Sequence, residues 1–332
     1  MDKIEAAGGL RACKCAKEEL KNLSDNKKYR LTMGLLLFVV ILWGINVVMI
    51  KYLTMFFPPL ALAPIRLFLA TCLLVPLVIK KYGFSLPARS AWLPMIGVAV
   101  FSIFLHHIAL SWGISATSAT HAALILGLNP LLTAILASRV VHEPLTWQKG
   151  IGILLGFGGV LFIVMGKETG VTSLQGDLIM FLAMGAAVVG SLFIKKSTET
   201  VAPLLVTAYT HAAASLGLIV FGFCVNTTWM YPGAFGVGPI AVLLFSSFVN
   251  TALGAWWWNM GIQRIGASKS ALFQNGIPVA GVFASVCFLG EPLHTEHILA
   301  LLFVILAVLL GTGILTFKPS QQKKQKKFIH NS

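Results

Sequence analysis

Long apolar stretches alternate with short polar segments along the chain. Residues 90–138 and 200–263 contain no Lys, Arg, Asp or Glu. Each run exceeds the roughly 20 residues that one α-helix needs to cross a bilayer, so each must hold two spans. Spans are predicted to be helical because lipid offers no partner for free backbone groups. Cutting the stretches at charges and turn residues predicts ten helices, near 31–53, 59–80, 91–111, 118–140, 147–166, 176–195, 203–225, 237–259, 267–289 and 296–317.

Basic residues fall in alternate loops between these spans. With the N-terminus in the cytoplasm, the outer loops hold only Lys167, with Lys51 at the outer end of the first span. Cytoplasmic loops of membrane proteins are enriched in Lys and Arg, so the pattern favours ten spans with both termini in the cytoplasm. The inner loops hold Lys80, Lys81, Arg89, Arg139, Lys149, Lys195, Lys196, Arg264 and Lys269.

One stretch of the chain occurs twice. Residues 113–145 align without a gap on residues 261–293, and nine of the 33 positions are identical, including Pro130/Pro278 and Glu143/Glu291. Five spans separate the copies, and five is odd, so the second copy enters the membrane from the opposite side. Inverted repeats are typical of secondary transporters, which open a central site alternately to each side. The predicted domains are a cytoplasmic basic leader (1–30), a first five-helix repeat (31–166), a second five-helix repeat (167–317) and a cytoplasmic basic tail (318–332).

The composition supports assignment as a membrane protein and limits the kinds of partner that are expected. Charged residues make up only 11% of the chain, against about 25% in soluble domains. The basic residues behind the net charge of +14 are concentrated at the two ends, with eight in residues 1–30 and five in residues 318–327. We expect these ends to meet anionic lipid headgroups of the bilayer at the cytoplasmic face, and we expect no nucleic-acid partner.

Neither a metal site nor a nucleotide site is indicated. The five cysteines form no disulfide or metal pattern, since only Cys13 and Cys15 lie close together. No G-x-x-x-x-G-K-[ST] motif occurs, so ATP is not the expected direct energy source. We expect no cofactor, no metal and no catalytic residue, because the histidines have no carboxylate partner within a predicted span.

Several motifs resemble a known family. The two units that end in Glu-Pro, the segment 59–68 with Arg66, and Trp258-Asn259 followed by Gly261-Ile262 are similar to the EamA family of the drug/metabolite transporter superfamily. The resemblance covers residues 31–317. It implies an all-α membrane protein with ten transmembrane helices in two inverted five-helix repeats, and movement of small metabolites through a central cavity. The long basic leader departs from the short N-terminus usual in that family.

Polar residues inside spans are the candidate site residues, because burying them in lipid is unfavourable. No Asp or Glu lies in the middle of a predicted span; Asp177 begins the span near 176–195. The chain therefore lacks the embedded Glu that small multidrug exporters of the superfamily use, and cation antiport of that type is not expected.

Histidine is the remaining titratable group within the spans. We single out His106 among the four (with His107, His121 and His211), because it shares a helix face with Ser102 at i, i+4. At an offset of 148 this pair maps onto Asn250 and Gly254, which would place both faces on one cavity. His106 is a candidate proton relay or substrate ligand; an ordinary interhelical hydrogen bond is the alternative.

The remaining candidates are aromatic and amide residues. Trp257 shares a face with Asn250 at i, i+7 and is predicted to line the cavity, although the three adjacent tryptophans could also anchor the helix at the interface. The other polar groups could contact substrate, or could satisfy backbone carbonyls freed by nearby prolines. They are Trp43, Asn46, Gln274 and Asn275, with Asn129 beside Pro130.

Structural or gating roles are predicted for Arg66, Asn129, Pro130, Glu143, Pro278 and Glu291. Arg66 lies about 12 Å along its span, at 1.5 Å per residue. It could hold an anionic substrate group, snorkel outward or bond helix-end carbonyls, and a structural role is favoured. Glu143 and Glu291 each precede a proline, which would place a carboxylate at the start of the next helix.

These features predict a secondary transporter of small organic metabolites, such as amino acids or similar amphipathic compounds. Alternating access at a cavity between the repeats is expected, with a small-molecule substrate and a monomeric or homodimeric protein. The resemblance to the EamA family alone favours export over uptake. The predicted location is the plasma membrane, and specifically a bacterial inner membrane. The alternative is a membrane sensor or partner-binding protein without transport activity. An enzyme is not expected.

Overall fold

The computed structural model describes residues 2–84, 86–140, 173–225 and 227–311, with isolated positions between 147 and 159. Side chains of the first 27 residues lie outside this description. All regular structure in the described residues is helical, and no β-strand occurs among them. The predicted all-α fold class is confirmed for this part of the chain.

The helices include six that are long and apolar enough to cross a membrane: Lys28–Leu53, Pro59–Tyr82, Arg89–Ala116, Leu174–Thr198, Pro203–Cys224 and Val237–Ile265. The chain is therefore a multi-pass membrane protein. The helix predicted near 147–166 lies outside the described residues, as does the end of the span predicted to reach 317, so the count of ten remains a prediction. The helices are α1 (Asp2–Leu53), α2 (Pro59–Tyr82), α3 (Arg89–Ala116), α4 (Ala119–Leu126), α5 (Asn129–Val140), α6 (Leu174–Thr198), α7 (Pro203–Cys224), α8 (Val237–Ile265), α9 (267–289) and α10 (Thr295–Gly311).

Proline and glycine set several helix boundaries. α2 and α7 begin at Pro59 and Pro203, where the missing N–H of proline has no helical partner to lose. α8 ends at Gly266 (φ 90°) and α9 ends at Gly290 (φ 64°). Glycine tolerates this left-handed backbone, so each helix stops and the chain reverses. The reversal at Gly290 determines where Glu291 points.

The span predicted over 118–140 is not one continuous helix. It breaks at Gly127 and Leu128, and α5 starts again at Asn129-Pro130. Pro130 cannot donate a backbone hydrogen bond and its ring crowds the preceding turn, so it starts a new helix instead of continuing the old one. The matching stretch of α9 tightens instead, because residues Leu272–Asn275 form a 3₁₀ turn before the helix that holds Pro278.

Two π-helical segments occupy matching positions in the two halves. Residues Val98–Leu105 in α3 and Ser246–Leu253 in α8 are both π-helical, and each boundary differs by the 148 residues that separate the sequence repeats. A π turn closes with an i→i+5 bond and so takes up one residue more than an α turn. The two halves therefore share this backbone irregularity as well as sequence. Side chains beyond each π segment lie on a different helix face from the one that an unbroken α-helix would give.

Contacts at the helix termini define two ends of the bundle. At the first, Lys51 Nζ donates to Ile114 O at 3.1 Å, and Ser173 N donates to Ala116 O at 3.1 Å. Glu291 lies here as well, so we name this the Glu291 end. At the second, the Arg264 end, Arg264 donates to Thr32 Oγ1 at 2.9 Å.

Equivalent helices run in opposite directions between these two ends. Gln263 near the end of α8 donates to Thr198 O at the end of α6 (2.8 Å), so both helices finish at the Arg264 end. α1 and α3, by contrast, finish at the Glu291 end, where Lys51 meets Ile114. The main hydrophobic core includes buried side chains from all ten described helices.

Candidate functional site

A cavity of about 130 Å³ lies between the two halves of the bundle. This volume is similar to that of an apolar cavity of roughly 150 Å³ that holds benzene. Its wall combines aliphatic side chains with Arg66, three histidines, five amides and two tryptophans. None of the described residues that line it is Asp or Glu. A pocket of this kind suits a small amphipathic organic molecule.

Most of the cavity wall comes from equivalent positions of the two halves. These pairs place one polar or aromatic residue opposite an aliphatic one more often than they repeat the same chemistry, so the two walls share backbone geometry but differ in their polar groups. At an offset of 148 the pairs are Ser102/Asn250, Ile103/Thr251, His107/Ala255, Leu110/Trp258, Leu126/Gln274 and Asn129/Ile277; at an offset of 144 they are Trp43/Ala187, Val47/Ser191 and Ile50/Ile194.

Three histidines meet at the cavity. The ring of His107 lies 5.1 Å from that of His106 and 6.5 Å from that of His211. His106 Nδ1 lies 2.8 Å from Ala183 O and His211 Nδ1 lies 2.8 Å from Thr207 O, so both Nδ1–H groups donate to carbonyls. Sequence reasoning placed His106 and Ser102 on one wall, where both lie, but left His107 and His211 out of the predicted site. One sequence feature pointed to His107: at an offset of 148 it is equivalent to Ala255, on the same helix as Asn250.

Of the three adjacent tryptophans in α8, Trp258 lines the cavity. The prediction that Trp257 lines it is wrong. The i, i+7 argument assumed an unbroken α-helix between Asn250 and the tryptophans. The π-helical turn in α8 inserts one residue, so Trp258 at i+8 shares the face of Asn250. Trp258 packs against Trp43 at a centroid distance of 5.0 Å, and Trp257 lies 6.1 Å from the ring of Phe38.

The predicted amides divide between cavity and core. Asn46, Asn250, Gln274 and Asn129 all line the cavity, and the last of these was expected to be structural. Asn275 is absent from the wall, because consecutive residues of the 3₁₀ turn that contains it and Gln274 point in different directions. Within the described part of the chain, Asn250 Oδ1 and Gln274 Oε1 are buried without a hydrogen-bond partner.

Arg66 lies on the cavity wall and is only 1% exposed. Its Nε donates to Ser246 Oγ at 3.0 Å and its Nη2 donates to Thr251 Oγ1 at 2.9 Å. Ser246 Oγ in turn donates to Asn46 Oδ1 at 2.6 Å. Arg66 therefore does not snorkel to the surface, and its described hydrogen bonds go to hydroxyls, where helix-end carbonyls were one expectation.

A second polar cluster lies at the Glu291 end. The Glu291 carboxylate accepts hydrogen bonds from Ala119 N at 2.8 Å, from Thr120 N at 3.0 Å and from Thr120 Oγ1 at 2.8 Å. It therefore caps α4, where the free N–H groups and the helix dipole favour a carboxylate. The expectation that Glu291 serves the next helix, α10, is wrong because the turn at Gly290 directs it to the other half of the molecule. Glu143 and Pro144 lie outside the described residues.

The same cluster contains a buried carboxylate that the sequence placed only at a helix start. Asp177 accepts from Thr117 Oγ1 at 2.6 Å and lies 3.2 Å from His121 Nδ1. Lys51 Nζ donates to the carbonyls of Ile114 and Thr117, at 3.1 and 2.5 Å. These bonds join the ends of α1 and α3 to the starts of α4 and α6. Among the described residues no group of His, Cys, Asp and Glu side chains is arranged to hold a metal ion.

The paired helices and the cavity between them define a polytopic membrane protein built from two related halves. The model of the EamA-like transporter family matches residues 30–165 and 174–312, one match for each half. The chain therefore belongs to the EamA-like transporter family.

Curated relatives carry the same broad description. The uncharacterized transporter YyaM of Bacillus subtilis (strain 168) is 32% identical over 83% of this chain and 91% of its own length. YvbV of the same organism, also called an uncharacterized transporter, is 29% identical over 84% of this chain and 90% of its own. A solved crystal structure superposes with a TM-score of 0.63 at 16% identity, over 84% of this chain and 96% of the other. That likeness shows the fold alone.

Proposed function

We propose that this membrane transporter moves small organic metabolites, such as amino acids or similar amphipathic compounds, by alternating access at the cavity between inverted repeats. One observation carries the proposal: the cavity wall is built from equivalent positions of the two halves, yet it extends further toward the Arg264 end than toward the Glu291 end. Two halves of related structure can exchange conformations, and the exchange would move the opening to the other end.

The asymmetry is visible in residues that the repeat makes equivalent. Ile262, Ala267 and Ala271 line the cavity toward the Arg264 end. Their counterparts toward the Glu291 end do not line it: Ile114, Ala119 and Ala123. The same sequence positions thus line the cavity at one end and lie outside its wall at the other, as expected of one state of an alternating pair.

Charge supplies the proposed orientation. The Arg264 end carries most of the basic residues near the described helix termini, including Lys81, Arg89 and Lys196, whereas Lys51 lies at the Glu291 end. Since basic segments favour the cytoplasm, the Arg264 end is assigned to that side, where it would also meet anionic headgroups of the plasma membrane. The described state then faces inward, ready to load a substrate for export.

Paired cysteines test alternation directly. In a cysteine-free background, Ala267→Cys and Ala119→Cys report on equivalent positions at opposite ends. We expect a water-soluble maleimide to label Ala267→Cys readily and Ala119→Cys slowly in detergent, and we expect transported compounds to change both rates in opposite directions. Parallel changes, or none with any transported compound, would contradict alternating access.

Flux in proteoliposomes tests transport itself. Counterflow of a panel of radiolabelled amino acids should be saturable with the natural chain and lost in Ala255→Trp, which fills the cavity. Leu178→Trp, at a 59% exposed position, is the matched control and should keep its flux. Binding without flux across the whole panel would instead favour the sensor or partner-binding alternative.

A further inference from the structure

Arg66 carries a buried positive charge that the described part of the protein does not neutralise. Its two described hydrogen bonds go to the neutral hydroxyls of Ser246 and Thr251, and it forms no salt bridge with a described carboxylate. Its third nitrogen, Nη1, is buried and has no described hydrogen-bond partner. Because a guanidinium stays charged, burying it without a counter-ion is strongly unfavourable. A group that is absent from the free protein would relieve this cost.

The hydroxyls around Arg66 are arranged to support a cation. Ser246 Oγ donates its hydrogen bond to Asn46 Oδ1 (2.6 Å), and Thr251 Oγ1 donates its hydrogen bond to Ser246 O (3.0 Å). Both oxygens are therefore free to accept from the guanidinium, and this fixes the plane of the fork. A guanidinium fork held in this way suits planar recognition of a carboxylate. Arg66 Nη1 remains for the incoming anion.

We propose that Arg66 binds the carboxylate of the transported molecule, so that the substrate is a small monocarboxylate; this inference rests on the proposed transport function. Arg66 is the only Lys or Arg among the described residues that line the cavity, which matches one negative charge better than the two of a phosphate ester.

The rest of the wall suits an amphipathic carboxylate, including an amino acid. Asn250 Oδ1 and Gln274 Oε1 have no described partner and can accept hydrogen bonds from an ammonium or hydroxyl group. The faces of Trp43 and Trp258 lie in the same wall and can hold an apolar or cationic part of the ligand.

The first experiment measures binding in detergent, independently of transport. The probes are L-leucine and L-phenylalanine, each with its carboxamide and with the matching acid that lacks the amine, 4-methylpentanoate and 3-phenylpropionate. We expect thermal shift and tryptophan fluorescence to show saturable binding of the carboxylates and weak binding of the carboxamides. Arg66→Met should weaken the carboxylates about tenfold or more, as for loss of a charge-assisted hydrogen bond, and should change the carboxamides little. Failure of every carboxylate to bind the natural chain would overturn the proposal.

Stability separates a binding role from a structural one. An unpaired buried charge is unfavourable, so Arg66→Met, which removes it, should not lower the melting temperature of the ligand-free protein. Arg66→Lys, which keeps the charge without the fork, should retain part of the carboxylate preference. Arg264→Met, which removes an arginine outside the cavity wall, should leave that preference unchanged. A large loss of stability in Arg66→Met together with retained carboxylate preference would show that Arg66 is structural.

The outcomes also separate this inference from the proposed function. If the natural chain binds carboxylates through Arg66 but moves none of them in proteoliposomes, the Arg66 site stands and transport fails. If flux is saturable but equal for acids and carboxamides, and Arg66→Met does not change the ratio, transport stands and the carboxylate site fails.

Discussion

Two polar clusters lie inside this apolar bundle, one on the cavity wall and one at the Glu291 end. At the Glu291 end, the carboxylates of Glu291 and Asp177 and the ammonium of Lys51 all have protein partners within hydrogen-bond distance. On the cavity wall, Arg66 Nη1 and Asn250 Oδ1 are buried and have none among the described residues. Buried polar groups in folded proteins are almost always paired. We therefore propose that the unpaired groups on the cavity wall meet a ligand and that the paired groups hold the Glu291 end together.

The repeat sharpens this comparison. Lys51 and Lys195 are equivalent at an offset of 144, and Lys51 Nζ bonds the carbonyls at the end of α3. For Lys195 Nζ at the Arg264 end, the described residues provide no hydrogen bond. Ends that are equivalent in sequence thus differ in pairing, which is the behaviour expected when one end is closed and the other is not.

The largest effect is expected from Glu291→Ala. The change leaves the N–H groups of Ala119 and Thr120 without their carboxylate at a buried helix start, and loss of such a cap costs about 2–4 kcal/mol. The melting temperature in detergent should fall. Labelling of Ala119→Cys should rise and labelling of Ala267→Cys should fall, as the Glu291 end opens. Glu291→Gln keeps one acceptor and should lose less. If Glu291→Ala lowers stability but leaves both labelling rates unchanged, Glu291 is structural and does not gate.

Gln274→Leu tests the other side of the comparison. The change installs at this position the residue found at its repeat equivalent, Leu126, and removes an amide oxygen that has no described partner. We expect no loss of melting temperature, and up to about tenfold weaker binding of amino acids, as for loss of one hydrogen bond. Leu126→Gln is the reciprocal control. A marked loss of stability in Gln274→Leu would mean that the amide already has a structural partner.

The sequence predicts the backbone plan better than the chemistry of the wall. Hydrophobic stretches locate the helices because each must be long and apolar in lipid, and the 148-residue repeat extends to the matched π segments. Repeat arithmetic also places Ser102 opposite Asn250. The prediction of which helix face a residue occupies fails at Trp257, because the hydrophobic pattern of the sequence does not reveal a π turn. The break before Pro130 is likewise hidden, since Pro278 is accommodated differently.

Pairing between residues far apart in the sequence could not be predicted from local spacing. Glu291 and Ala119 are 172 residues apart, and Asp177 and Thr117 are 60 apart. Asp177 was read only as a carboxylate at a helix start, although it also holds Thr117 and lies beside His121. Whether a buried Arg66 is neutralised depends on which distant side chains surround it, so its unpaired nitrogen becomes visible only in the folded chain.

Trp258→Phe and Trp257→Phe are expected to separate cavity from interface with a moderate effect. Trp258 lines the cavity against Trp43, whereas Trp257 packs toward Phe38 outside it. Trp258→Phe should weaken L-phenylalanine binding about threefold, since part of one aromatic contact is lost. Trp257→Phe should leave binding unchanged. If Trp257→Phe weakened binding and Trp258→Phe did not, the helix face predicted from the sequence would be correct instead.

The smallest effect is expected from His106→Ala, measured as the pH dependence of flux. His106 Nδ1 donates to Ala183 O, which leaves Nε2 as the nitrogen that can take or give a proton beside the cavity. If His106 relays a proton, the rate in His106→Ala should vary less with pH than the rate of the natural chain, with similar carboxylate binding. His121→Asn is the control, because His121 lies in the closed cluster beside Asp177. Unchanged pH dependence in His106→Ala, with a change in His121→Asn, would move the titrating group from the cavity to the Glu291 end and so reverse the assignment of the two clusters.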